Sequence, residues 1–145
     1  MSANHSFSGK ERVALITGAN IGIGRVTALR LAQQGYTVFL AGRSAQRTQA
    51  VIDDIHALTG SPNSAFFLPL QLDDLNSVRE CAALFLARQL PLHLLVNNAG
   101  LAGLKGQTRQ GFEMAFGVNH LGHFLLTQLL LDTLKANAPA RVVTV

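Results

Sequence analysis

The chain is 145 residues long, enough for one domain with a buried core. Hydrophobic residues make up 48% and charged residues 14%; an average soluble domain has about 25% charged, so the composition excludes a disordered, solvating polymer and points to extensive burial or a surface that meets a partner. The net charge is +4 with a pI of about 10.0, yet there is no basic run and no aromatic–basic interleaving, so nucleic acid is not an expected partner, and the mild positive field suits an anionic small ligand.

Strand and helix patterns alternate along the chain. An apolar run over 13–16, closed by Thr17-Gly18, reads as a strand buried on both faces. A helix is expected over 22–34, with Val26, Leu29 and Ala32 on its inner face and Gly35 ending it. A second strand is expected over 36–40. Ser44 then caps a helix to about residue 58, ended by Gly60-Ser61-Pro62. A third strand over 65–70 contains Pro69, which cannot donate to a ladder and so belongs at a sheet edge. Asp73 or Asp74 opens a helix to residue 89, and 92–96 is a fourth strand bounded by Asn97-Asn98-Ala99-Gly100. A long helix is expected over 108–137, stopped by Pro139, with a fifth strand starting at 142–145. Repeated β-α-β units give an α/β fold with a doubly wound parallel sheet of order 3-2-1-4-5, a single domain whose fifth strand is cut short. The loops after strands 1 and 4 then face one crevice, where such sheets bind ligands.

The segment Thr17-Gly18-Ala19-Asn20-Ile21-Gly22-Ile23-Gly24 joins the first strand to the first helix. Its glycines permit a tight turn, close approach of backbone to a pyrophosphate, and close helix–strand packing, with the helix N-terminus supplying N–H groups and partial positive charge. Glycines alone mark any tight turn; their place between strand and helix makes them a nucleotide-binding signal of Rossmann type.

The spacing G-x-x-x-G-x-G after Thr17, the run Asn97-Asn98-Ala99-Gly100, and Gly111-Phe112-Glu113 followed by Phe116-Gly117-Val118-Asn119-His120-Leu121-Gly122-His123-Phe124 come in order from Arg12 onward. Together they resemble the short-chain dehydrogenase/reductase family, in the branch of retinol dehydrogenases and protochlorophyllide reductases. The resemblance implies cofactor contacts at Gly18, Asn20, Ile21, Gly22, Ile23 and Gly24, and at Asn98, Ala99 and Gly100 beside the adenosine ribose. It also implies that Asn119 is the active-site asparagine, whose backbone carbonyl holds a water leading to a catalytic lysine. The family usually has Asp after strand 3 for the adenine amino group; here Gln71 stands there, with Leu72 beside it, and offers an uncharged acceptor. Gln110 replaces an Asp common in the relatives, and no mechanism attaches to it.

NAD-binding folds tend to carry an acid about 20 residues past the glycine loop, and NADP-binding folds a cation. Here the second strand leads into Arg43-Ser44 with no acid. A guanidinium fork and a hydroxyl suit a 2′-phosphate, so NADP(H) is preferred over NAD(H). Arg25 reads as a solvated helix residue.

The resemblance further implies hydride transfer with an alcohol or carbonyl substrate, using a serine, a tyrosine acid/base and a lysine four residues after it. The 145 residues contain no such set: the only tyrosine is Tyr36, and neither Lys105 nor Lys135 has a tyrosine four residues before it. Three readings follow: a partial oxidoreductase, a nucleotide-binding sensor or modulator without catalysis, and half of a split enzyme. The edge at 142–145 is expected to make the isolated chain poorly soluble.

The remaining signals are blander. Cys81 is the only cysteine and reads as a buried apolar residue in a reducing compartment. Residues 1–10 are polar, expected to be flexible, and carry no secretory leader. The apolar stretch 121–134 is interrupted by His123, Gln128 and Asp132, so no membrane span and a cytoplasmic location are expected. His120 and His123 share a helix face, but nothing is spaced to complete a metal site, so they read as packing. His5, His56 and His93 are isolated. Asp53-Asp54 reads as a solvated face with Arg47. The exposed-looking leucines of helix 108–137 suggest a homodimer through that helix.

Overall fold

The computed structural model describes residues 11–145. The expectations for residues 1–10, and His5, lie outside the described residues. Five parallel strands, β1 (Arg12–Thr17), β2 (Tyr36–Gly42), β3 (Ala65–Pro69), β4 (Leu94–Asn97) and β5 (Arg141–Thr144), form one sheet in the order β3-β2-β1-β4-β5. The expected order is borne out, and Pro69 lies on the edge strand, opposite Gly42.

The two-faced burial of β1 organises the core. Val13 and Leu15 point to one face, where α3 (Leu75–Leu86) and α5 (His123–Ala136) cover them with Val78, Phe85, Leu126 and Leu130. Ala14 and Ile16 point to the other, under α1 (Gly22–Gln33) and α2 (Ala45–Thr59), with Ala28, Val51 and Ile55. This alternation explains why β1 reads as one unbroken apolar run. Cys81 is fully buried in the first cluster, and burial pushes its thiol up to about 12. Phe39 meets Phe85 edge-on at 5.1 Å, and the Arg88 guanidinium lies 5.0 Å from the ring centres of both Phe39 and Phe66.

Three details differ from expectation. First, the inner face of α1 is Gly24, Ala28 and Ala32, and Val26 is 54% exposed. Residues four apart share a helix face, and here the face nearest the sheet holds the smallest residues, not the most apolar. Second, the long helix begins at Met114, not Thr108. Residues 108–113 form a loop closed by Thr108 N–H to the Phe112 carbonyl (2.8 Å) and by a bridge between Gln107 and Glu113. The helix runs as a short α4 (Met114–Phe116), a wide π turn (Gly117–Gly122) and α5. Third, none of the leucines between 121 and 134 is exposed; Leu126, Leu130 and Leu134 are buried, and the outer face shows Phe116, His120 and Phe124.

All four β5 residues are exposed at the sheet edge. Among the described residues, no helix is long and apolar enough to cross a membrane.

Candidate nucleotide-binding site

The glycine loop leaves β1 at Thr17 and enters α1 at Gly22. The residue before the helix is Ile21, whose extended backbone (φ −152°, ψ 160°) carries a side chain that cannot accept, and no acid lies in the first turn. The leading N–H groups of α1 therefore have no side-chain cap among the described residues and present partial positive charge. Gly22 has φ +59°, and a Cβ there would meet nothing within 4 Å, so the backbone is open on this side to a ligand. Gly24 does the opposite: a Cβ would come 2.3 Å from the Gly18 carbonyl oxygen and 2.4 Å from Asn98 Nδ2. Gly18 in turn lies against Ala99. Ile21 and Ile23 are 73% and 68% exposed and form an apolar rim beside the free donors, with Asn20 half-buried behind them. Orphaned donors beside apolar surface fit a dinucleotide, which needs a phosphate cradle flanked by faces for its rings.

The loop after β4 is tied to the same place. Asn98 Nδ2 donates to the Thr17 carbonyl (3.0 Å) and the Gly18 carbonyl (3.2 Å). The Thr17 hydroxyl, fully buried, accepts from the N–H groups of Asn98 (3.0 Å) and Ala99 (2.9 Å). Its third contact is Nε2 of His123 at 2.8 Å. Asn97 Nδ2 donates to Thr127 Oγ1 at 3.0 Å, holding β4 to α5.

Asn119 sits in the π turn. Its side chain pairs with the Leu101 backbone in both directions, Nδ2 donating to the carbonyl and Oδ1 accepting from the N–H, each at 2.9 Å. Its carbonyl lies 3.3 Å from Nδ1 of His123. Gly100 lies beside this side chain, where even a Cβ would make only an ordinary contact, 3.6 Å from Oδ1. The turn is fixed from its start by Glu113, whose carboxylate accepts from Phe116 N–H (2.7 Å) and Ala115 N–H (3.0 Å), bonds that hold its carboxyl below the usual range. At its far end Gly122 lies against the Leu72 carbonyl.

Next to the glycine loop, Gly18 N–H donates to the Ala41 carbonyl (3.1 Å), which brings the end of β2 beside Gly18. Arg43, just past β2, is exposed and makes no hydrogen bond or ion pair with the other described residues. Ser44 caps α2, its Oγ accepting from Arg47 N–H at 3.2 Å, and its hydroxyl proton remains free to donate. Arg25 is engaged elsewhere: it pairs with Asp54 at 2.7 Å and ties α1 to α2. Asp54 thus faces α1 from the solvated side of α2, and Asp53 accepts from Gln49 Nε2 at 2.8 Å. Gln71 is exposed, with its N–H on Ser77 Oγ, whereas the Leu72 side chain is buried in the core.

Gln110 has a clear role. Its Oε1 accepts from Leu75 N–H (3.1 Å) and its Nε2 donates to Asp74 Oδ1 (3.1 Å), so it clamps the start of α3, and this bond holds the Asp74 carboxyl below its ordinary range. His93 Nδ1 accepts from Val13 N–H, and His56 meets the Ala65 carbonyl. His120 stacks between Phe116 and Phe124, at 5.3 and 6.3 Å.

The structure thus gathers Gly18, Gly22, Gly24, Asn98, Ala99, Gly100 and Asn119 around one end of the sheet, with Arg43 and Ser44 flanking it. Sequence reasoning missed Thr17 and His123 as the link among them. The available signal was a hydroxyl at the last position of a buried strand and a histidine on an apolar helix face.

The family model for short chain dehydrogenases matches residues 12–145. Over 133 residues the chain is 50% identical to mouse retinol dehydrogenase 11, covering 91% of this chain and 42% of that protein. Over 139 residues it is 52% identical to mouse polyprenol dehydrogenase, covering 92% and 41%. The chain therefore spans about two fifths of the length of these curated relatives. Among solved structures it superimposes on an alcohol dehydrogenase from the archaeon Thermococcus sibiricus complexed with 5-hydroxy-NADP, with TM-score 0.77 and 31% identity, over 88% of this chain and 55% of that one. It also superimposes on a metagenomic short-chain oxidoreductase in complex with NADP, with TM-score 0.79 and 26% identity, over 90% and 60%. With the glycine loop, the Asn98 anchor and the Asn119 turn in these places, the chain belongs to the short-chain dehydrogenase family, in its retinol dehydrogenase-like branch.

Proposed function

We propose that this chain forms the cofactor-binding portion of an NADP(H)-dependent oxidoreductase acting on an alcohol or carbonyl substrate. The carrying observation is the pairing of an α1 N-terminus without a side-chain cap with an Arg43 that has no partner among the described residues, at the neighbouring strand end. The first suits a pyrophosphate and the second a 2′-phosphate. When bound, the nicotinamide exchanges a hydride with the substrate carbon. The chain's own residues bind and orient: Gly22 admits the phosphates, Ile21 and Ile23 offer apolar contact, and Asn119 presents its carbonyl towards the reaction centre. Self-pairing through the 114–136 helix stays part of this reading and is carried by Phe116 and Phe124 in place of the leucines. The cytoplasmic location read from the sequence stays part of this reading.

Nucleotide binding without catalysis stays as the second reading; among the described residues Tyr36 starts β2 at the opposite end of the sheet, with the Arg12 guanidinium 4.4 Å from its ring centre, and takes no part in the site. Fluorescence titration with NADPH and NADH tests the shared core of both readings. Saturable binding that favours NADPH is expected. A folded chain that binds neither overturns the nucleotide reading, and equal affinities overturn the role of Arg43.

A further inference from the structure

The Thr17 hydroxyl has one proton and two lone pairs. Both lone pairs are taken, by the N–H groups of Asn98 and Ala99. The proton is therefore left for His123 Nε2 at 2.8 Å, and that nitrogen must accept. A ring that accepts at Nε2 and is neutral carries its proton on Nδ1, which points at the Asn119 carbonyl 3.3 Å away. The ring is buried, and that desolvation lowers its pKa, in keeping with the neutral form.

We propose that His123 is a positioning residue that, as the neutral Nδ1–H tautomer, locks the Asn119 turn onto the nucleotide loop through Thr17. Asn119 is thereby held from two directions: its side chain by Leu101 after β4, its main chain by His123 from β1. Nδ1–H occupies one lone pair of the Asn119 carbonyl. The wide turn needs this anchor because its backbone departs from the α-helical ladder there. The role rests on the reading of this end of the sheet as the nucleotide site.

The test combines imidazole ¹⁵N NMR of the full chain with two variants. The expected His123 signals are a protonated Nδ1 and an unprotonated Nε2 at neutral pH. His123→Leu, which keeps the bulk and neither polar contact, should shift the Leu101 amide resonance and weaken NADPH binding about tenfold. His123→Gln, whose amide can both accept and donate, should restore most of each. A ring protonated on Nε2, or charged, at neutral pH overturns the proposal, as does a His123→Leu chain with an unchanged Leu101 amide. If the unaltered chain binds no NADPH, the nucleotide reading fails, while the tautomer and the Leu101 amide still decide the role of His123.

Discussion

Gly24 and Gly18 approach so closely that a methyl group on Gly24 would stand 2.3 Å from the Gly18 carbonyl oxygen. That oxygen is backbone and already accepts from Asn98, so it cannot step aside. Gly24→Ala should therefore push α1 away from β1 and cost about 1–3 kcal/mol, the usual range for overpacking. A thermal melt followed by circular dichroism should show a lower Tm. An unchanged Tm would mean that helix and strand are not in this contact.

Gly22→Ala should behave differently. The added methyl group meets nothing, so the loss of stability is confined to the left-handed backbone, about 1–2 kcal/mol. The methyl would instead occupy the open side of the uncapped helix start. Loss of NADPH binding by a chain that still melts cooperatively is the expected result, and retained affinity would remove Gly22 from the phosphate cradle.

Arg43→Ala should weaken NADPH binding about ten- to hundredfold, the worth of a charge-assisted hydrogen bond to phosphate. NADH lacks the 2′-phosphate and should bind almost as before. Calorimetric titration of both nucleotides separates the two effects. A parallel loss for NADH would make Arg43 a contact to the shared part of the cofactor.

His123 should make stability depend on pH. Burial lowers its folded pKa, whereas in the unfolded chain the ring takes up a proton near about pH 6.5. Below that pH the unfolded state binds more protons, so stability falls as the pH falls. The contribution is full above about pH 6.5, erodes below it, and levels off once the folded ring is also protonated. Urea unfolding across this range should show the slope, and His123→Gln should remove the part due to this ring.

Sequence patterns carried the sheet because its constraints are local. Pro69 cannot sit in a central strand, Ser44 caps the helix it precedes, and the unbroken apolar run at Val13–Ile16 needs two covered faces. What was not legible depends on distance in three dimensions. Val26 lies outside because the sheet admits only Gly24, Ala28 and Ala32 at close range, a steric demand that apolarity does not reveal. Residues 108–113 have no strong helix breaker except Gly111, whose φ of +85° turns the loop back before Glu113 caps the real start. The Arg25–Asp54 pair and the Gln110 clamp cross 29 and 36 or fewer residues and follow from helix placement alone. The glycine loop and Asn119 were legible as motifs, and Thr17 and His123 stood within those motifs, but the bond between these two was not legible, because each is informative only once the other is beside it.

The Thr17 hydroxyl joins three stretches of chain, reaching 81 and 82 residues ahead to Asn98 and Ala99, and 106 ahead to His123. During synthesis, the first strand and glycine loop emerge long before any of those partners. The nucleotide loop therefore cannot reach its final bonding until His123 has left the ribosome. Such long sequence separation makes folding slow, because ordering the intervening chain precedes the bonds that reward it. A strand and loop made long before their partners are thus completed only when those partners arrive, and a nascent chain that ends before His123 would hold a strand whose closing hydroxyl still lacks that partner.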